Sequence, residues 1–220
     1  MSNFRIIDLT HTMIPGEEQY TVELKQRNER TTPSGDIMKD VYMWSHSGTH
    51  VEVSLHFYEN GKDTSDFPPE TFVGPAIRLD FRHKATNEPI TLADFQQAGD
   101  IREGDIVILW EGREHQYHTP QSHDRPYVTE EAARWLALEK KIKLLGTDSS
   151  GFEVRGVKTH PNHHLFFKAG VDIPVVECLR NLGEIPNQRF FFVGMPLPVK
   201  GLDASPIRAI ALEIEGMMQP

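Results

Sequence analysis

The apolar residues of this chain fall in short blocks separated by polar, turn-forming stretches. This pattern predicts many short strands with helices between some of them. Phe4 to Leu9 predicts an opening strand that ends at Thr10-His11, and Asp40 to Ser45 predicts a second. Further strands are expected at Ala76 to Phe81, Ile142 to Leu145, Val175-Val176, Arg189 to Val193 and Ile207 to Ile214. Ile106-Val107-Ile108-Leu109-Trp110 is an unbroken apolar run behind Gly104-Asp105, as expected of a strand buried on both faces. Three helices interleave with these strands. One opens within Thr91 to Phe95, with Thr91 or Asp94 near its start; one opens at Thr129-Glu130-Glu131 and carries Ala133, Leu136 and Ala137 on a stripe. The third runs from Asn162 to Ala169, with Pro161 in its first turn and Gly170 ending it.

The polar stretches divide these elements. Residues 14 to 36 hold Pro15-Gly16 and Pro33-Ser34-Gly35-Asp36 and predict a long loop, or an arm reaching a neighbouring subunit. Phe67-Pro68-Pro69-Glu70 is a break, and residues 111 to 127, with His115, His118 and His123, are expected to be loop. No composition shift marks a linker, so the expected fold is α/β: a single domain over residues 1–220, with a mixed, buried β-sheet flanked by helices.

Composition narrows the functional classes. A chain of 220 residues buries about 70% of its unfolded surface, enough for a real core. The formal net charge of −9 argues against nucleic acid and anionic membrane as partners and leaves a small molecule as the expected one. No apolar run approaches the ~18 residues that span a bilayer. The opening residues Met1 to Thr10 are too soon interrupted for a signal peptide. The one cysteine, Cys178, excludes an internal disulfide. Cytoplasm is therefore the expected compartment.

The chemistry concentrates in His46-Ser47-Gly48-Thr49-His50-Val51-Glu52-Val53-Ser54-Leu55-His56-Phe57. Its three histidines and one carboxylate sit at even separations, so an extended strand would turn all four to one side, which a helix would not. A straight strand rises roughly 3.3 Å per residue and would hold His46 and His50 about 13 Å apart, too far for one metal ion. The chain must bend between them, and Gly48 supplies the freedom. Strand, sharp bend, strand is the expected course. Imidazole suits zinc, iron, nickel or copper, and carboxylate extends the range to manganese. Two histidines and one carboxylate with open positions describe a catalytic rather than a structural metal site. The plainer alternative is a polar sheet face whose histidines bind only their neighbours.

This run resembles the signature His-x-Gly-Thr-His-x-Asp-x-Pro-x-His-Phe of the cyclase-like metal-dependent hydrolases, the family of the kynurenine formamidase and isatin hydrolase type. Asp8-Leu9-Thr10-His11, Gly146-Thr147-Asp148-Ser149, His163 to Gly170 and Glu177 to Leu182 are similar to further segments of that family. Two positions depart from it: Glu52 stands for the Asp and Ser54 for the Pro. The resemblance implies a swivelling β/β/α fold and a homodimer or larger assembly. It implies one or two divalent ions per chain, zinc or manganese, with His46, His50 and Glu52 holding the first. Glu52 would bridge to a second ion completed by His163 and Glu177, with His160 a rival of His163. Asp148 either orients a ligand histidine or caps the following turn, and His11 is a strand-end residue or lies behind the ligands.

The chemistry so implied is hydrolysis of a non-peptide C–N bond, in an aryl formamide or a cyclic amide or imide; lactones and esters are further candidates. His56, beyond the ligand set, is the expected proton shuttle, its ordinary pKa near 6.5 suiting the role. Trp44 and Phe57 either line an apolar pocket or pack in the core. Two other classes compete. A non-haem iron oxygenase uses the same two histidines and one carboxylate, and would need ferrous ion and oxygen. A binding module would keep the fold, bind a small ligand and show no turnover.

Overall fold

The computed structural model describes residues 4–27 and 36–214. Their strands are β1 (Phe4–Asp8), β2 (Val22–Gln26), β3 (Lys39–Met43), β4 (His50–Glu52), β5 (Val73–Asp80), β6 (Pro89–Ile90), β7 (Ile106–Trp110) and β8 (Tyr127–Val128). There follow β9 (Leu144–Thr147), β10 (Val175–Glu177), β11 (Arg189–Val193), β12 (Ala204–Pro206) and β13 (Ile210–Ile214). Nine of them form one sheet in the order β1-β13-β11-β5-β7-β9-β10-β4-β12. The pairs β5–β7, β7–β9 and β9–β10 are parallel, and the flanking pairs are antiparallel.

Each parallel step is bridged by a helix, as parallel strands require. The helices are α1 (Leu92–Ala98), α2 (Glu130–Arg134, followed by a π turn through Trp135–Glu139) and α3 (Pro161–Phe166). Thr91 and Asp94 close a capping box at the start of α1, and the Thr129 hydroxyl accepts from the Ala132 N–H at the start of α2. This is the α/β sheet with flanking helices that the sequence predicts. Among the described residues no helix is long and apolar enough to cross a membrane.

Side-chain alternation sorts the core into two layers. In β7, Val107 and Leu109 pack on the helix side with Phe95, Ala133 and Leu136, while Ile106 and Ile108 pack on the other side with Ile7, Phe190 and Phe192. Each such fully buried aliphatic side chain contributes ~2 kcal/mol relative to exposure. The same alternation continues outward: Leu144 and Val176 face the second layer, Leu145 and Val175 the first.

Several local expectations change. Inside the stretch expected as loop or arm, Val22–Gln26 pairs antiparallel with Lys39–Met43 as a separate two-stranded ribbon. Val22 is buried at its start, but Leu24, Val41 and Tyr42 find no core and stay exposed. Residues 28–35 of that stretch lie outside the described residues. The third helix spans only Pro161–Phe166, and Gly170 at φ +87° serves the turn beyond it. The expected final strand, Ile207 to Ile214, is shorter, and β12 forms ahead of it. In the histidine run the strand is only His50–Glu52; Ser54–His56 is a 3-10 turn, not a second strand. His56 therefore reaches the others by turning back rather than by strand parity.

Candidate metal centre

Strand register brings the first polar groups together. Val51 and Val176 are fully buried neighbours on one face of the sheet. Their flanking residues must point the other way. His50 stands directly opposite Glu177, and Glu52 opposite Val175. The side chains of His50, Glu52 and Glu177 are thereby held, buried, on the helix side of the sheet.

His46 joins them through the bend at residues 47–49. Gly48 sits at φ +69°, and a Cβ there would meet Met13 Cγ at 2.7 Å. Thr49 anchors the bend, its hydroxyl donating to the Cys178 carbonyl at 2.6 Å and accepting the His11 N–H at 2.9 Å. The chain thus doubles back, and His46 Nδ1 lies 3.3 Å from His50 Nε2 and 2.9 Å from Glu52 Oε1. The separation that a straight strand would impose is gone.

His163 arrives from α3. Glu153 Oε1 accepts the backbone N–H groups of Asn162 and His163, at 2.7 and 2.9 Å, and lies 3.2 Å from His163 Nδ1. One carboxylate thus satisfies the start of the helix and turns the imidazole. Phe57 stacks on that ring at 5.3 Å and Phe152 packs against it at 4.5 Å. His163 Nε2 is left facing Glu52 Oε2 at 3.5 Å and Glu177 Oε1 at 3.9 Å. His160 stands on the Glu153 side of the ring, in the left-handed conformation at φ +42°.

His56 lies at the rim, with Nε2 4.0 Å from Glu52 Oε1 and Nδ1 3.1 Å from Asp203 Oδ2. Three groups bring ligand atoms close enough to hold an ion: His46, Glu52 and His56; His50, Glu52 and Glu177; and Glu153, His160 and His163. Glu52 belongs to two of them.

The electrostatics of these groups call for positive charge. Burial pushes Glu52 up, but the imidazoles of His163, His46 and His50 beside it outweigh burial and hold the carboxylate well below its ordinary range. Glu177 is pushed up by burial and by the Glu52 charge. Burial pulls His46 down, yet hydrogen bonds to Asp203 and Glu52 raise it to about 10. Burial likewise opposes the charge on His163, and Glu153 and Glu52 raise it to about 9. Protons on the imidazoles balance two buried carboxylates that a cation would balance instead. Glu52 Oε2 is buried without a hydrogen-bond partner, 3.5 Å from His163 Nε2. An orphaned carboxylate oxygen facing imidazole nitrogen and a second carboxylate fits a divalent cation.

A cleft of about 610 Å³ opens onto these residues, walled by Tyr20, His46, Glu52, Tyr117, His123, Ser149, Ser150 and Glu177. Of the loop histidines, His123 alone lines it, tied to Gln19 at 2.8 Å and Ser150 at 2.9 Å. Trp44 is exposed and stacks on Tyr20 at 5.6 Å, beside the cleft, whereas Phe57 is half-buried against the histidines of α3. His11 lies apart, stacked on Tyr117, and burial pulls its pKa down to about 4. Asp148 turns no histidine; it accepts the backbone N–H groups of Glu111 and Arg113. Three acidic groups carry no sequence signal: Glu153, Asp203, and Glu111, which burial and the Asp148 charge push up. Asp203 and Glu111 reach their partners through contacts distant in sequence, Glu153 through the loop that leads into α3.

A mixed α/β sheet that gathers histidines and carboxylates at the ends of its strands, beneath an open cleft, describes a metal-dependent enzyme of the hydrolase class. The Cyclase family model matches residues 7–154, and the chain belongs to that family, the cyclase-like metal-dependent hydrolases. The kynurenine formamidase of Erythrobacter litoralis is 28% identical over 97% of this chain and 96% of its own. That of Bacillus cereus is 27% identical over 89% of this chain and 88% of its own. A solved structure described as a potential metal-dependent hydrolase with cyclase activity aligns with a TM-score of 0.79 at 30% identity, covering 99% of this chain and all 100% of the other. Isatin hydrolase A of Ralstonia solanacearum shares the fold, with a TM-score of 0.81 at 23% identity over 96% of this chain and 92% of its own.

Proposed function

We propose that this protein hydrolyses a non-peptide C–N bond, in an aryl formamide or a cyclic amide or imide, at a site built around Glu52. The curated relatives that match nearly the whole chain are kynurenine formamidases, which supports this substrate class. The observation that carries the reading is the division of Glu52: Oε1 meets His46 and His50, and the otherwise unpartnered Oε2 meets His163. His46, His50 and Glu52 would hold one divalent ion, zinc or manganese. Glu52, His163 and Glu177 would hold a second.

An ion held there would supply a water of lowered pKa and would polarise the carbonyl that the water attacks. His56 does the proton work. Its Nε2 faces Glu52 at 4.0 Å and would take a proton from the attacking water. The water oxygen bonds to the carbonyl carbon, the C–N bond breaks, and His56 returns the proton to the departing nitrogen. The products are a carboxylic acid and an amine, joined in one molecule when the substrate is cyclic.

We further propose a homodimer or larger assembly in the cytoplasm. The ribbon of β2 and β3 leaves Leu24, Val41 and Tyr42 uncovered, which a subunit contact would bury. The buried thiol of Cys178 suits a reducing compartment. Light scattering decides the first point: a monomer at micromolar concentration rejects it.

The activity is tested by loading the protein with zinc or with manganese and following an aryl formamide and a cyclic aryl amide. Turnover abolished by a chelator and restored by the ion is the expected result. Failure with both substrate types under both ions would reject the reading.

A further inference from the structure

We propose that Asp203 is a positioning residue that fixes the ring orientation and tautomer of His46 and His56 together. One oxygen serves both: Oδ2 lies 3.0 Å from His46 Nε2 and 3.1 Å from His56 Nδ1. An ionised carboxylate only accepts hydrogen bonds, so each of these ring nitrogens carries its hydrogen and donates. The opposite nitrogen of each ring is thereby turned inward. His46 Nδ1 faces Glu52 at 2.9 Å, and His56 Nε2 faces the same oxygen at 4.0 Å. With Nε2 committed to Asp203, His46 has only Nδ1 to offer an ion, and with Nδ1 so committed His56 has only Nε2 to take a proton.

The backbone holds Asp203 in register with both rings. Its carbonyl accepts the Val53 N–H at 3.0 Å, and Ala204, the next residue, pairs with Glu52 across β4 and β12. The segment that carries Glu52 to His56 is thus laced to the segment that carries Asp203. The two rings stand 4.4 Å apart, spanned by a single carboxylate. This inference rests on the ligand and shuttle roles proposed above, but the placement of the two protons is a property of the chain itself.

The test is the ring-nitrogen NMR spectrum of histidine-labelled protein, read on wild type, Asp203→Asn and Asp203→Ala after zinc loading, together with steady-state kinetics. Wild type should show His56 with its proton on Nδ1. Asp203→Ala should lose that preference and lower kcat ~10–100-fold, with KM changed little and zinc content kept under excess zinc. Asp203→Asn, whose amide oxygen still accepts, should fall between them and guards against misfolding of the alanine variant. A His56 tautomer unchanged in Asp203→Ala would overturn the proposal, as would a kcat within twofold of wild type. If wild type binds no zinc and turns nothing over, the reading of function fails. The His56 signal of the metal-free protein then still decides whether Asp203 sets the ring.

Discussion

Replacing His56 by alanine separates its two possible uses. The residue is half outside the site, its side chain 32% exposed, and its polar contacts are Asp203 at 3.1 Å and Glu52 at 4.0 Å. Asp203 keeps its contact with His46 when His56 is removed, so no buried group is orphaned and the fold should lose less than ~1 kcal/mol. A shuttle that moves the proton in the rate-limiting step contributes ~10²–10⁴-fold, equal to ~3–5 kcal/mol of transition-state stabilisation. His46, His50, Glu52, His163 and Glu177 are untouched, so the ions should stay. The assay is kcat on an aryl formamide alongside metal per chain by elemental mass spectrometry. We expect His56→Ala to lose ~10²–10⁴-fold in kcat at unchanged metal content, with partial rescue by added imidazole. His56 also lies close enough to His46 and Glu52 to hold an ion with them. Loss of one metal equivalent in His56→Ala would make it a ligand and refute the shuttle role; unchanged turnover would refute both.

Glu153→Ala should weaken metal binding ~10–100-fold, read by chelator competition, because the carboxylate that turns His163 is gone. Gly48→Ala should lower stability by ~1–2 kcal/mol in urea unfolding, since φ +69° is costly for alanine and its Cβ would meet Met13 at 2.7 Å. Burial pushes the Asp94 carboxyl up, but hydrogen bonds from Lys84 and Thr91 hold it at about 2, below its unfolded value near 3.9. Its contribution is therefore present above pH ~4 and lost as pH falls through 2. Asp94→Asn should cost ~1–2 kcal/mol at pH 7, and urea midpoints should show that difference shrinking between pH 4 and 2.

The sequence carries those parts of the site that lie within one local run. His46, His50, Glu52 and His56 declare themselves by proximity, and Gly48 marks the bend that folds them together. Strands such as Ile106–Trp110 and Arg189–Val193 declare themselves because burial on both faces, or on one, writes a continuous or alternating apolar pattern. His163 and Glu177 needed a family resemblance to be singled out, because their meeting with Glu52 depends on the register of β4 with β10 and on the placement of α3. Asp203 and Glu153 were silent. Asp203 sits 147 and 157 residues from the two histidines it contacts, and only the pairing of β4 with β12 joins them. β2 was read as part of a loop or arm because Val22 alone of its apolar residues is buried, whereas its partner β3 falls where a strand was expected from Asp40.

Metal content per chain of protein purified without added metal is the most direct measurement, made on wild type and Glu52→Gln. We expect one or two equivalents of zinc or manganese in the wild type, and loss of most of it when the divided carboxylate of Glu52 becomes an amide. No metal in the wild type, and none taken up on reconstitution, would contradict a metal-dependent hydrolase built around Glu52.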